Sequence, residues 1–119
     1  MSSGMENYIA RTAAMEWKPL TEKGVDTSGL FVKSLRVDEQ KQRSPAILLK
    51  FEPGAKYPYH NHPAGEEILL LKGSCMINES LLSEGDYLYT PPGFKHDVKS
   101  ESGCEMLLII PAEVEVLVK

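Results

Sequence analysis

Several features that would narrow the function are scarce or missing from this sequence. Cysteine is nearly absent. Cys75 and Cys104 stand far apart and form no C-x-x-C pair. The plain reading is two reduced, buried thiols, with a disulfide between neighbouring strands as the alternative. No apolar run approaches the roughly 20 residues of a membrane span. The opening stretch "MSSGMENYIARTAAMEW" lacks the continuous apolar segment of a secretory signal. The cytoplasm is therefore the expected compartment. There is no internal repeat, no low-complexity segment and no long helical period. Charge is modest at a net -4, a mild acidic excess that argues against nucleic acid and membrane as partners.

What is present suits one ordinary domain. A chain of 119 residues can bury roughly two-thirds of its unfolded surface, enough for a self-supporting core. Hydrophobic residues at 42% and charged residues at 25% give a normal globular balance. Short apolar runs broken by turn residues every ten or so positions predict an all-β sandwich or barrel. "GLFVKSLRV" alternates around Phe31, Lys33, Leu35 and Val37. "SPAILLKFE", "YPYHNH", "DYLYT", "KHDVKS" and "CEMLLII" read as further strands. "EEILLLKG" is expected to end at Gly73, with "SCMIN" and "SLL" pairing as a hairpin across "NES". "EVEVLV" reads as a final strand. The prolines are expected at strand ends or between runs. Residues 1–6 are expected to be disordered and residues 7–119 to form the domain. An extension strand at "AMEWK" or a short helix near "NYIARTAAM" precedes the barrel.

The chemistry concentrates in "HNHPAGEE", residues 60 to 67. His60 and His62, two apart in an extended stretch, share a face and can reach one ion. His96, the third and last histidine, follows the "PPG" turn at the start of another strand. Glu66 or Glu67 could add a carboxylate. Alternation sends Glu66, Ile68 and Leu70 to one face and Glu67, Leu69 and Leu71 to the other. Both faces carry leucines, so periodicity does not choose between the glutamates. Tyr57, Tyr59, Tyr87 and Tyr89 flank these stretches and could supply hydroxyls around the histidines, or serve as strand aromatics. Phe94 could line a pocket mouth or anchor its loop. Trp17 reads as a core or interface residue.

The wider spacing carries a resemblance. From Gly54 the sequence runs G-x5-H-x-H-x3-E-x6-G to Gly73, and from Gly85 it runs G-x5-P-x-G-x2-H to His96. These resemble the two motifs of the cupin superfamily, with Ser100 where that pattern has Asn. Longer stretches, "FEPGAKYPYHNHPAGEEILLLKG" and "PPGFKHDVKSESGC", look like the cupin domain of ChrR-type anti-sigma factors and related small dioxygenases. The resemblance implies a single jelly-roll barrel holding one divalent ion (iron, manganese or zinc). The implied ligands are His60, His62, Glu66 and His96, with Glu67 turned away. It implies three candidate functions. The first is an oxygenase acting on a ketone, diketone or phenolic compound. The second is a non-catalytic zinc- or ligand-binding sensory module. The third is a sugar or metabolite isomerase. No general base is identified. Because histidine must be neutral to bind, metal affinity is expected to fall as pH drops through about 6.5. Apolar residues surplus to one barrel interior, together with the family's habit of pairing barrels, imply a homodimer.

Overall fold

The structure is a computed structural model and describes residues 4–117. The apolar runs become ten strands: β1 (Lys18–Pro19), β2 (Leu30–Asp38), β3 (Arg43–Phe51), β4 (Lys56–Asn61), β5 (Glu66–Ile77), β6 (Ser80–Ser83), β7 (Tyr87–Thr90), β8 (Lys95–Lys99), β9 (Cys104–Ile109) and β10 (Glu115–Val116). They follow the order β1-β2-β3-β9-β5-β8-β4-β10, with β6 and β7 also paired to β5. Every pairing is antiparallel, and the sheet curls into a jelly-roll barrel. Strand β5 closes the curl. Its first half pairs with β7 and β9, and its second half with β6 and β8.

Alternation decides what faces inward. Leu30, Phe51, Ile68, Leu70 and Met106 are buried at the centre, each contributing roughly 1.5–3 kcal/mol relative to exposure. Along β5, Glu66, Ile68 and Leu70 point in, whereas Leu71 is exposed. Cys75 and Cys104 are buried free thiols. Ser100 is fully buried, and its hydroxyl donates to the Ser74 carbonyl at 2.6 Å.

Several local expectations are corrected. Gly73 does not end its strand, because β5 runs on to Ile77. Gly73 has φ +79°, and a Cβ there would collide with the Gly103 carbonyl oxygen. The glycine thus lets β9 lie close while the strand bends. On β2 the inward residue is Leu30, and Val37 is exposed. Register shifts around Arg36 break the simple alternation. Pro45 and Pro58 lie inside β3 and β4. Pro58 falls where the β4–β8 register shifts between Tyr57 and His60, so its missing N–H costs no ladder bond. The N-terminal strand is Lys18–Pro19, short of the full "AMEWK". In place of an α-helix, two 3-10 turns, Met5–Tyr8 and Thr12–Ala14, precede it. Residues 1–3 of the segment expected to be disordered lie outside the described residues. Val118 and Lys119 lie outside as well, and the pairing of "EVEVLV" is seen at Glu115 and Val116.

The N-terminal segment is held against the barrel. Trp17 lies under the ammonium groups of Lys33 and Lys50, 4.6 and 5.4 Å from its ring centroid. Lys33 Nζ also donates to the Thr12 carbonyl at 2.8 Å. Among the described residues, no helix is long and apolar enough to cross a membrane.

Candidate metal centre

Three neighbouring elements deliver the polar side chains of the barrel interior. His60 on β4 stands directly opposite His96 on β8, a cross-strand pairing that brings the two side chains together. His62 follows the last residue of β4, and Glu66 opens β5. The turn between them is tight. The His62 carbonyl accepts from Gly65 N–H at 3.0 Å and from Gly93 N–H at 3.1 Å. Gly65 has φ +81°, and a Cβ there would sit 2.9 Å from the Thr90 carbonyl oxygen. Only glycine lets this turn press against the "TPPG" loop that leads into His96.

His60, His62, Glu66 and His96 are buried to 3%, 1%, 4% and 1% exposure. One ligand atom from each histidine lies within 4.8 Å of the other two. His62 Nε2 is 3.2 Å from His96 Nε2. Glu66 Oε1 is 3.3 Å from His62 Nε2 and 3.4 Å from His96 Nε2. The Pro58 carbonyl, 2.6 Å from His60 Nδ1, accepts a proton held there and leaves Nε2 free as a donor atom.

Burial sets the charge states. Desolvation pulls the pKa of His60 down to about 4 and that of His62 to about 3, so both are neutral near pH 7 and have lone pairs to offer. At these two rings the onset of proton competition moves well below the 6.5 expected from an ordinary imidazole. Desolvation raises the pKa of Glu66, opposed by the nearby His96 ring. Glu66 Oε1 and His62 Nδ1 are buried with no hydrogen-bond partner in the protein. A carboxylate oxygen in that position calls for a cation. Three imidazoles and one carboxylate form a donor set that suits a divalent transition metal. The three buried histidines could hold a metal ion.

A cavity of about 90 Å³ opens onto His60, His62 and Glu66, and aliphatic side chains with Phe51 make up most of its wall. Of the five aromatic residues singled out by position, Tyr57 is buried and lines this cavity. Tyr89 and Phe94 border a second cavity of about 230 Å³ that reaches His96. Tyr59 is exposed, and Tyr87 lies on the outer surface, where its hydroxyl donates to Glu67 Oε1 at 2.6 Å. Glu67 therefore points away from the histidines.

Three contributors escaped the sequence reading. The Pro58 carbonyl is a backbone group that no side-chain pattern reveals. Thr90 Oγ1 is buried without a partner beside the second cavity. Glu22 lines the first cavity from the N-terminal segment, where no periodicity marks an inward face.

The family model described as the ChrR cupin-like domain matches residues 5–113. Among curated proteins, the DNA damage-repair/toleration protein DRT102 of Arabidopsis thaliana is 27% identical over 74 residues, 57% of this chain. The match spans about a quarter of that relative's length (24%). Among solved structures, the polyketide cyclase RemF of Streptomyces resistomycificus aligns with a TM-score of 0.75 and 18% identity, over 92% of this chain and 84% of that one. An acetylacetone dioxygenase of Acinetobacter johnsonii aligns at 0.74 with 14% identity, over 87% and 72%. At such identities these likenesses speak for the fold. The family match spans nearly the whole domain, and the chain belongs to the ChrR cupin-like domain family.

Proposed function

We propose that the chain is a metal-dependent oxygenase for a small, largely apolar ketone, diketone or phenolic compound, with one divalent ion held by His60, His62, Glu66 and His96. The observation that carries this reading is the buried three-imidazole, one-carboxylate set, of which His60, His62 and Glu66 line a small cavity walled mostly by carbon. When bound, the ion supplies Lewis acidity and a template for substrate and oxygen. The protein's part is to present imidazole nitrogens and to balance one of the ion's two charges with Glu66. Ile47, Leu49, Phe51 and Met106 give the cavity an apolar wall, which suits chemistry away from bulk water. The size of the cavity favours a compact ligand, since pockets for drug-sized molecules run from roughly 300 Å³ upward. The dioxygenase and cyclase neighbours share the fold, and a fold hosts unlike chemistries, so the cavity and donor set bear the weight.

A second reading, a zinc-holding binding module, draws support from the same donor count. Four protein ligands close a tetrahedral zinc site. Elemental analysis, metal-edge spectroscopy and oxygen uptake separate the two. The oxygenase reading expects about one ion per chain in an open coordination sphere. It also expects loss of most metal in His96→Ala and oxygen consumption with a β-dicarbonyl or hydroxy-ketone. A closed four-coordinate zinc, with no uptake across a broad panel after iron loading, would favour the module instead.

A further inference from the structure

Apart from the histidines and Glu66, the cavity's polar lining consists of two residues, Tyr57 and Glu22. They are bonded to each other, with the Tyr57 hydroxyl 2.8 Å from both Glu22 carboxylate oxygens. The Tyr57 ring stands edge-on to His60 at 4.8 Å between centroids, so the pair adjoins the donor set. We propose that Glu22 and Tyr57 form a specificity-determining anchor that receives a hydroxyl, or another hydrogen-bond donor, on the ligand whose other end meets the metal centre.

The argument is one of proton counting. A phenol has a single hydrogen, so Tyr57 donates to one carboxylate oxygen at a time. The second Glu22 oxygen and the phenol's own lone pairs remain acceptors in a cavity whose wall, away from the histidines and Glu66, is carbon. Such a site favours a ligand that donates and disfavours an isostere lacking the donor. Glu22 is held there by its surroundings. Leu20 N–H donates to the Leu30 carbonyl at 2.9 Å, Thr27 Oγ1 donates to the Leu20 carbonyl at 2.6 Å, and Val25 N–H donates to the Glu22 carbonyl at 3.1 Å. Leu20 and Val25 pack against the core on either side.

This inference rests on the ligand reading proposed above, and the test separates the two. The full chain is loaded with zinc, which takes no part in redox chemistry. Binding of acetylacetone and of its terminally hydroxylated analogue is then measured by calorimetry. The wild type should bind the hydroxylated compound about tenfold tighter, the worth of one hydrogen bond. Tyr57→Phe should erase that preference. Glu22→Gln, which turns one acceptor into an N–H donor, should weaken or reverse it. Zinc content should hold in both variants. A pair that merely tied the N-terminal segment down would change the melting temperature and leave the preference intact, and that result overturns the inference. Equal binding of both compounds by the wild type overturns it as well, leaving the ligand reading standing. Binding of neither compound to zinc-loaded protein overturns both. Should one variant fail to fold, the other still reads the preference.

Discussion

Glu66 and Glu67 are adjacent and chemically identical, yet the barrel gives them opposite surroundings. Glu66 lies within 3.4 Å of two imidazole nitrogens, while Glu67 accepts from Tyr87 at the surface. Glu66→Gln should therefore lower the bound metal well below one ion per chain. Glu67→Gln should leave it unchanged and alter stability by no more than about 0.5 kcal/mol. Metal analysis beside a urea melt checks both. Proton linkage makes a second prediction. His60 and His62 have folded pKa values depressed to about 4 and about 3. Between there and the ordinary 6.5, the unfolded chain binds more protons, and stability rises with pH. Glu66, with its raised pKa, works in the opposite direction above the usual carboxylate range, one group against two. The urea midpoint of metal-free protein should fall between pH 7 and pH 5; a constant midpoint would sink the claim that these rings are held neutral by burial. The histidine cluster was legible because fixed spacings onto adjacent strands leave few ways for the side chains to diverge. Glu22 was not legible. Its place depends on how a segment without period docks, and docking is a tertiary event.

Among the elements, β5 shows most clearly how strand boundaries elude sequence. "EEILLLKG" and "SCMIN" read as two strands because glycine ordinarily weakens a strand interior. In the barrel, Gly73 is the point where one long strand leaves β9 for β6 and β8. Gly73→Ala meets two penalties, a left-handed backbone and the Gly103 carbonyl. It should cost more than about 2 kcal/mol, seen as a lower urea midpoint. Gly54→Ala, at a similar φ but in open space, should cost less. The strand content of the chain was readable from its apolar runs. Pro58 inside β4 was not, since only the register shift beside it makes a proline acceptable there.

At the scale of the whole molecule, one face of the barrel carries an apolar row on its outside. Leu48 on β3, Leu107 on β9, Leu69 on β5 and Tyr87 on β7 form one row across four strands, with Tyr87 exposed. We propose that a second copy of the chain covers this row. Light scattering at micromolar concentration should give twice the mass of one chain, and Leu69→Lys should halve it; a monomeric wild type would overturn the pairing. The barrel itself was legible from the rhythm of runs and turns. The N-terminal 3-10 turns were not, because apolar residues near "NYIARTAAM" imitate a helical face, while neither turn buries a residue.

Trp17 is the chain's single tryptophan, and it sits on the segment that delivers Glu22, beneath Lys33 and Lys50. Its fluorescence is thus an optical gauge of one joint, blind to most of the barrel. Circular dichroism follows the strands. Run together during slow heating, the two signals would show whether the cavity loses its N-terminal wall before the sheet melts, and so whether the molecule can open to its ligand without unfolding.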